Sequence, residues 1–197
     1  MCGLLGVVRT NQSVMQSDFE KMIRLLFIVD QVRGEHSTGL FAVHEKFDKK
    51  NDCPVVLKKA MNAMDFVGLP FYKALMTDIK NYTFFAGHNR YATKGLVTNN
   101  NAHPFQIRNI TLMHNGTINH FGKFTKDAEN VVVDSMAITY LLTHHSLVDV
   151  LKELSGSYCL VYHDSNDNSF NIIRNDDRPL LMGETAFGYV YSSEDRM

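Results

Sequence analysis

The chain has 197 residues, 45% of them hydrophobic and 21% charged, with a formal net charge of −1. That length supports one domain with a substantial core, and the composition excludes disordered and collagen-like chains. The charge balance carries no basic footprint for nucleic acid, and no apolar run approaches the roughly 18 residues of a membrane helix. The start, Met-Cys-Gly-Leu-Leu-Gly-Val-Val-Arg, lacks the basic flank and long apolar core of a signal peptide, so the cytoplasm is the expected compartment.

Leu4 to Val8 reads as a strand. Ser17, with Glu20 three residues on, has the pattern of a capping box, and Phe19, Met22, Ile23, Leu26 and Val29 recur at helical spacing up to a stop at Gly34. Leu40 to Val43 and Val55 to Leu57 read as short strands. The doublets Lys49-Lys50 and Lys58-Lys59 read as solvated loop and strand-end charges. Pro70 suits the first turn of a helix that carries Phe71, Leu75 and Ile79 on one face.

Thr83 to His88 and Ile110 to His114 read as strands that deliver polar motifs at their ends. One helix starts near Asp134 and runs through Leu142. A second starts near Ser146, with Asp149 three residues on and an apolar stripe of Leu147, Val150, Leu151 and Leu154. The remainder is strand-rich: Ser157 to His163, Phe170 to Arg174, Leu180 to Met182 and Gly188 to Tyr191. Strands, helices and strands again predict a single α+β domain over 1–197, with helices covering antiparallel sheet.

The three cysteines, at positions 2, 53 and 159, are too few for a disulfide framework. Cys159 falls in a buried strand and reads as packing, and Cys53 as an incidental surface thiol. Cys2 differs, because removal of Met1 would make it the N-terminal residue. Its α-amine, with a pKa of about 7.7–8.0, would then lie beside its own thiol, ordinarily about 8.5, and could act as the base that activates it.

Four further segments set polar groups beside glycines or at strand ends: Arg33-Gly34-Glu35-His36-Ser37-Thr38-Gly39, the run from Gly87 to Gly95, His114-Asn115-Gly116, and Val133-Asp134-Ser135. Each alone is a weak signal. Together they hold an arginine for a carboxylate, an aspartate for an ammonium, and an amide plus backbone N–H for an oxyanion, the set that acyl transfer from an amino-acid amide needs. His88, His103 and His114 have no usual zinc-ligand spacing, so neither a metal nor another cofactor is expected.

These segments, in this order, resemble the glutaminase domain of class II glutamine amidotransferases. Met-Cys-Gly-Leu-Leu-Gly-Val is similar to their processed N-terminus, Arg33 to Gly39 to an Arg-Gly-x-x-Ser-x-Gly segment, and Gly87 to Gly95 to a Gly-His-x-Arg-Tyr/Trp-x-Thr-x-Gly segment. Asn101 to Phe105, His114 to Gly116, Ser155 to Tyr158, Arg178 to Leu180 and Ser192 to Glu194 continue the likeness almost to the last residue.

The resemblance implies the N-terminal nucleophile hydrolase fold, a four-layer αββα sandwich of two antiparallel sheets flanked by helices. It implies hydrolysis of L-glutamine to glutamate and ammonia through a γ-glutamyl thioester on Cys2. Asn115 and the Gly116 N–H would form the oxyanion hole. Arg90, helped by Thr93, would hold the substrate α-carboxylate, and Asp134 the α-ammonium. Arg33 would support the nucleophile from behind, unless it only closes the helix end before Gly34.

Met136 stands where the family often has an acidic residue after the Asp-Ser pair, and Lys94 fills a slot that varies. No synthase or acceptor domain is recognisable within 1–197, so an acceptor-enzyme partner is expected on another chain or a further domain. Two rivals stay open: a catalytically silent binding or regulatory module of the same fold, and an N-terminal nucleophile hydrolase for a different amide.

Overall fold

In the computed structural model, residues 2–11, 15–93, 95–124 and 131–194 are described. They form ten strands and five α-helices. Strands β1 (Gly3–Arg9), β2 (Ser37–His44), β3 (Val55–Lys59), β4 (Tyr82–Arg90), β9 (Leu181–Thr185) and β10 (Gly188–Ser192) build one antiparallel sheet in the order β3-β2-β4-β1-β10-β9. Strands β5 (Phe105–Ile107), β6 (Ile110–Ile118), β7 (Gly156–Asp164) and β8 (Ser169–Arg174) build a second, in the order β5-β6-β7-β8.

Successive side chains of a strand point to opposite faces, and in the central strands here both faces are buried. Leu5 and Val7 of β1, with Leu40 and Ala42 of β2, pack under helix α1 (Gln16–Asp30) through Phe19, Ile23, Leu26 and Phe27. The alternate residues Leu4, Phe41, Val43 and Ala86 meet Met113, Cys159 and Val161 of the other sheet. On the far side Ile110, Leu112, Leu160 and Tyr162 pack against Ile138, Leu141 and Leu142 of α4 (Asp134–Leu142) and Val150 of α5 (Leu147–Glu153). The layers therefore run helix, sheet, sheet, helix, the αββα sandwich that the resemblance implied. None of the helices among the described residues is long and apolar enough to cross a membrane.

Three local expectations are corrected. Ser17 does not cap α1: the helix begins at Gln16, and its N-cap Met15 makes no side-chain cap bond. Packing decides that start, with Phe19 wholly buried and its ring against Phe85 and Phe187, while Gln16 ties the first turn to the carbonyls of Met76 and Thr77. Helices α2 (Ala63–Phe66) and α3 (Pro70–Thr77) follow β3, and Pro70 does open α3. Its buried face is Tyr72, Leu75 and Met76 rather than Phe71, and Ile79 lies beyond it in a 3-10 turn, Ile79–Asn81. Strand β5, three residues long, has too few alternating positions to be seen in the sequence.

Beneath the start of β1 lies a buried polar network. Leu4 N–H donates to Ser193 Oγ at 2.9 Å, and Ser193 N–H donates to the Leu4 carbonyl at 2.8 Å. Ser193 Oγ reaches Asp30 Oδ1 at 3.5 Å, while Asn89 Nδ2 donates to Asp30 Oδ2 at 3.3 Å and to the Phe27 carbonyl at 2.9 Å. A Cβ at Gly3 would run into the Asp30 carboxylate, so the residue after Cys2 is glycine for want of space. Burial pushes the Asp30 carboxyl up to about 7, against the pull of the Arg33 guanidinium.

The folded chain thus holds a proton on Asp30 across a pH range in which the unfolded chain, with a carboxyl at its ordinary 3.8, does not. Stability from this group therefore falls as pH rises from about 4 to about 7, by at most about 1.4 kcal/mol per pH unit. Asp30→Asn cannot ionise, so its thermal midpoint should gain on that of the native chain between pH 5 and pH 8. A difference between the two proteins that stays constant over that range would contradict the assignment.

Candidate active site

Four elements bring their ends together: the start of β1, the end of β4, the middle of β6 and the first turn of α4. The pairing of Gly3 with Asn89 sets Cys2 beside Arg90 and the loop after β4. There the Cys2 thiol donates to the Tyr91 carbonyl at 3.5 Å, and the Tyr91 N–H donates to Sγ at 3.4 Å. Burial raises the thiol above its ordinary pKa, so at neutral pH it stays protonated and needs a base.

The Cys2 carbonyl is held from two sides. Arg33 Nε donates to it at 3.1 Å, with Arg33 Nη1 3.6 Å from Glu194 Oε2, and Asn115 Nδ2 donates to it at 2.8 Å. Arg33 lies in the 3-10 turn Gln31–Arg33 after α1, where Gly34 follows in extended conformation. Gly34 passes so close to the Arg90 backbone that a Cβ would collide with it.

A cleft opens at this point, lined by Cys2, Arg90, Tyr91, Thr93, Asn101, His103, Phe105, His114, Gly116, Val133, Asp134 and Ser135. Of the expected site residues, Cys2, Arg90, Thr93, Gly116 and Asp134 therefore share one wall-to-wall space. Arg33 and Asn115 instead converge on the Cys2 backbone beside it. Arg90 is buried, and its Nη1 donates to the Leu96 carbonyl at 3.2 Å, the same carbonyl that Asn101 Nδ2 reaches at 3.0 Å. Thr93 stands exposed at the rim.

Asp134 opens α4 and ties it to β6: Oδ2 accepts from Ile118 N–H at 2.9 Å and Oδ1 from Ser135 N–H at 2.9 Å. A carboxylate at a helix N-terminus is favoured by the helix dipole and the unpaired N–H groups there. Gly116 has φ +154°, and a Cβ there would run into the Ser157 carbonyl and His114 Nε2, so no other residue fits without displacing β7.

The cleft walls include two histidines, His103 and His114, to which the sequence assigned no role of their own. His88, His103 and His114 are brought together: the His88 and His103 rings stack at 3.9 Å, and His88 Nε2 lies 3.1 Å from the His114 carbonyl. His114 Nδ1 lies 3.0 Å from Ser135 Oγ. Burial pulls His88 down to about 3 and lowers His103 and His114 too, so all three are neutral at physiological pH. Among the described residues no cluster of His, Cys, Asp and Glu side chains has a metal-binding arrangement.

Lys58 also departs from expectation. Rather than a solvated charge, it is partly buried, with Nζ donating to the Ala102 carbonyl at 3.0 Å and the Pro104 carbonyl at 2.9 Å, over the Phe105 ring. Strand pairing alone carries Lys58 to a segment more than forty residues ahead, which no local pattern announces. Cys53 is exposed and Cys159 buried, as expected.

A family profile described as "Glutamine amidotransferase domain" matches residues 88–197, more than half the chain. Glutamine–fructose-6-phosphate aminotransferase (isomerizing) of Staphylococcus epidermidis is 27% identical over 204 residues, covering 93% of this chain and 30% of the relative. The enzyme of that name from Shouchella clausii is 26% identical over 218 residues, covering 98% of this chain and 32% of its own length. The chain thus spans about a third of these curated relatives.

Among solved structures, the allosteric regulatory enzyme of purine biosynthesis superposes with a TM-score of 0.68 at 19% identity, over 98% of this chain and 42% of that one. Glutamine phosphoribosylpyrophosphate amidotransferase from B. subtilis, complexed with ADP and GMP, gives 0.64 at 19% identity with the same coverage. These two share the αββα fold of this chain. By the match over 88–197, the chain belongs to the glutamine amidotransferase domain family.

Proposed function

We propose that residues 1–197 form one glutaminase unit that hydrolyses L-glutamine with Cys2 as nucleophile. The observation that carries this reading is the cleft shared by Cys2, Arg90 and Asp134: a thiol, a cation and an anion in one space match the amide, carboxylate and ammonium of a free amino-acid amide. Met1 lies outside the described residues, and its removal is part of the proposal, since only a free α-amine on Cys2 can take the thiol proton.

The thiolate attacks the side-chain amide carbon and the carbonyl π electrons move to oxygen. Asn115 Nδ2 has two N–H groups; one is spent on the Cys2 carbonyl at 2.8 Å, and the other, with the Gly116 N–H, would donate to the oxyanion. Collapse expels the amide nitrogen, which leaves as ammonia after receiving the proton held by the α-amine. A water then attacks the thioester, and glutamate departs with Cys2 restored as thiol. Arg90, with Thr93, pairs with the α-carboxylate and Asp134 with the α-ammonium. Arg33 holds the Cys2 carbonyl and so the direction of the nucleophile.

The ammonia is used by an acceptor enzyme, on another chain or a further domain. Ammonia is mostly protonated at neutral pH and loses its nucleophilicity in bulk water, so hydrolysis is useful only where an acceptor site is coupled to it. The curated relatives are aminotransferases about three times as long as the matched region, which supports such coupling. We place this activity in the cytoplasm.

Cys2→Ala should abolish ammonia release from glutamine with the fold intact, and Cys2→Ser should leave very little. An electrophilic glutamine analogue should label Cys2 and spare both exposed Cys53 and buried Cys159, read by peptide mass spectrometry. Labelling of all three cysteines would mean general thiol reactivity. Intact mass of the active protein should lack Met1, and full activity with Met1 attached would refute the N-terminal base.

Loss of Arg90 or Asp134 removes one partner of a charge-assisted hydrogen bond, about 1.5–3 kcal/mol, so kcat/KM should fall roughly ten- to hundredfold. Asn115→Ala should instead act mainly on kcat, by about a hundredfold or more, because oxyanion donors act at the transition state. If Arg90→Ala left the preference for glutamine over simple amides unchanged, Arg90 would not be the carboxylate partner.

A further inference from the structure

His103 stands out among the buried polar groups of the cleft. It is 5% exposed and lines the same space as Cys2, Arg90 and Asp134. Among the described residues it is the buried histidine with neither ring nitrogen in a hydrogen bond. His88 and His114 each use one nitrogen within the protein, at 3.1 Å and 3.0 Å, and His163 reaches Asn168 Oδ1 at 2.8 Å. A buried imidazole with two unmet hydrogen-bonding positions is costly, and in a cleft it marks a contact made by something that enters.

The ring is also fixed in place. It stacks on His88 at 3.9 Å and meets the Phe105 ring edge-on at 4.9 Å. Lys58 clamps the carbonyls on both sides of it, Ala102 at 3.0 Å and Pro104 at 2.9 Å. A Cβ at Gly39 would run into the His103 carbonyl, so β2 carries glycine where this segment crosses it. Such support leaves the imidazole little freedom to turn toward a protein partner.

We infer that His103 is a substrate-contacting residue, accepting a hydrogen bond from the α-ammonium of the amino-acid substrate and so adding to the selection of a free amino acid over a simple amide. This rests on the glutamine reading of the cleft. An ammonium brings three N–H donors, and Asp134 meets it with oxygens that each already accept one backbone N–H, at 2.9 Å and 2.9 Å. Ser135 Oγ is engaged by His114. His103, kept neutral chiefly by burial, has one nitrogen lone pair to offer.

The experiment compares L-glutamine with glutaramic acid, the same molecule without its α-amino group, as substrates of the native protein, His103→Phe and His103→Gln. Phenylalanine keeps a ring in the stack and removes both nitrogens; glutamine keeps an acceptor. His103→Phe should lower kcat/KM for L-glutamine about tenfold, the scale of a hydrogen bond to a charged group, mainly through KM. Its effect on glutaramic acid should stay under about twofold, and His103→Gln should recover most of the loss, because the ammonium term is absent in the first case and restored in the second.

Equal losses on both amides would overturn the proposal and leave His103 a shaping residue of the wall, and no loss on either would overturn it too. Should the native protein hydrolyse neither amide, the glutaminase reading fails on its own. The contact is then read by calorimetric binding of L-glutamine and glutaramic acid to the native protein and His103→Phe. A loss confined to L-glutamine supports it, and unchanged or parallel affinities overturn it. Thermal unfolding of each variant confirms that the compared proteins are folded.

Discussion

The carbonyl of Cys2 accepts two hydrogen bonds, from Arg33 Nε at 3.1 Å and Asn115 Nδ2 at 2.8 Å, and much of the architecture exists to deliver those two donors to one atom. Arg33 arrives from the turn that ends α1, so it comes from the outer layer behind the first sheet. Asn115 arrives from β6, in the second sheet. The residue before β1 is therefore gripped between the layers, with its carbonyl unable to rotate and its side chain directed into the cleft. Residues close to a chain end ordinarily fray unless they are tied down. Here the restraint is supplied from opposite faces of a sandwich, and the two sheets must be packed in register for both bonds to form.

The same constraint explains the buried charge beneath β1. Asp30, Arg33 and Glu194 lie within a network that also takes in Asn89 and Ser193, and that network meets the chain at Cys2 and Leu4. Apolar side chains would fill the space at less expense, since buried ion pairs seldom return more than their desolvation removes. They would not hold backbone groups in one orientation. Asp30 illustrates the compromise: burial raises it to about 7 although a guanidinium lies close by. Positional definition around Cys2 is thus obtained at some loss of stability.

How far this was legible in the sequence depended on the range of the interaction. The short apolar runs of β2, β4, β6 and β7 are local and were visible, as were the glycines at strand ends and the Ser146 cap, whose side chain accepts from Asp149 N–H. The candidate site residues come from short motifs at those ends, and the fold brings them together: Cys2, Arg90, Thr93, Gly116 and Asp134 share the cleft, and Asn115 and Arg33 meet at Cys2. What escaped was set by contacts far apart in the chain. Ser17 looked like a cap, but the burial of Phe19 placed the helix start. Lys58 looked solvated, but β3 carries it onto the 102–104 segment, and only that meeting makes His103 a cleft wall. Histidine spacing, useful for metals, says nothing about imidazoles that stack.

Five of the eight buried side-chain atoms without a hydrogen-bond partner among the described residues lie at the same end of the molecule as the gripped carbonyl, the others being on Tyr72, Tyr191 and Glu194. Ser37 Oγ, His88 Nδ1, both nitrogens of His103 and His114 Nε2 are buried without protein partners among the described residues, and they surround the ends of β2, β4 and β6. Each such group costs on the order of 1–3 kcal/mol unless something bonds to it. A core built for stability alone would replace them. Their concentration at one place is what a site needs if it is to distinguish a zwitterion from an amide of similar shape, because a buried group aimed at one substrate atom rejects any analogue that lacks that atom. A ligand that satisfies even two of them binds the folded chain alone and raises its stability by mass action. Recognition and folding are then linked through the same few atoms, and the rigidity that the two sheets impose on Cys2 is matched by the substrate's own contribution to closing the polar account around it.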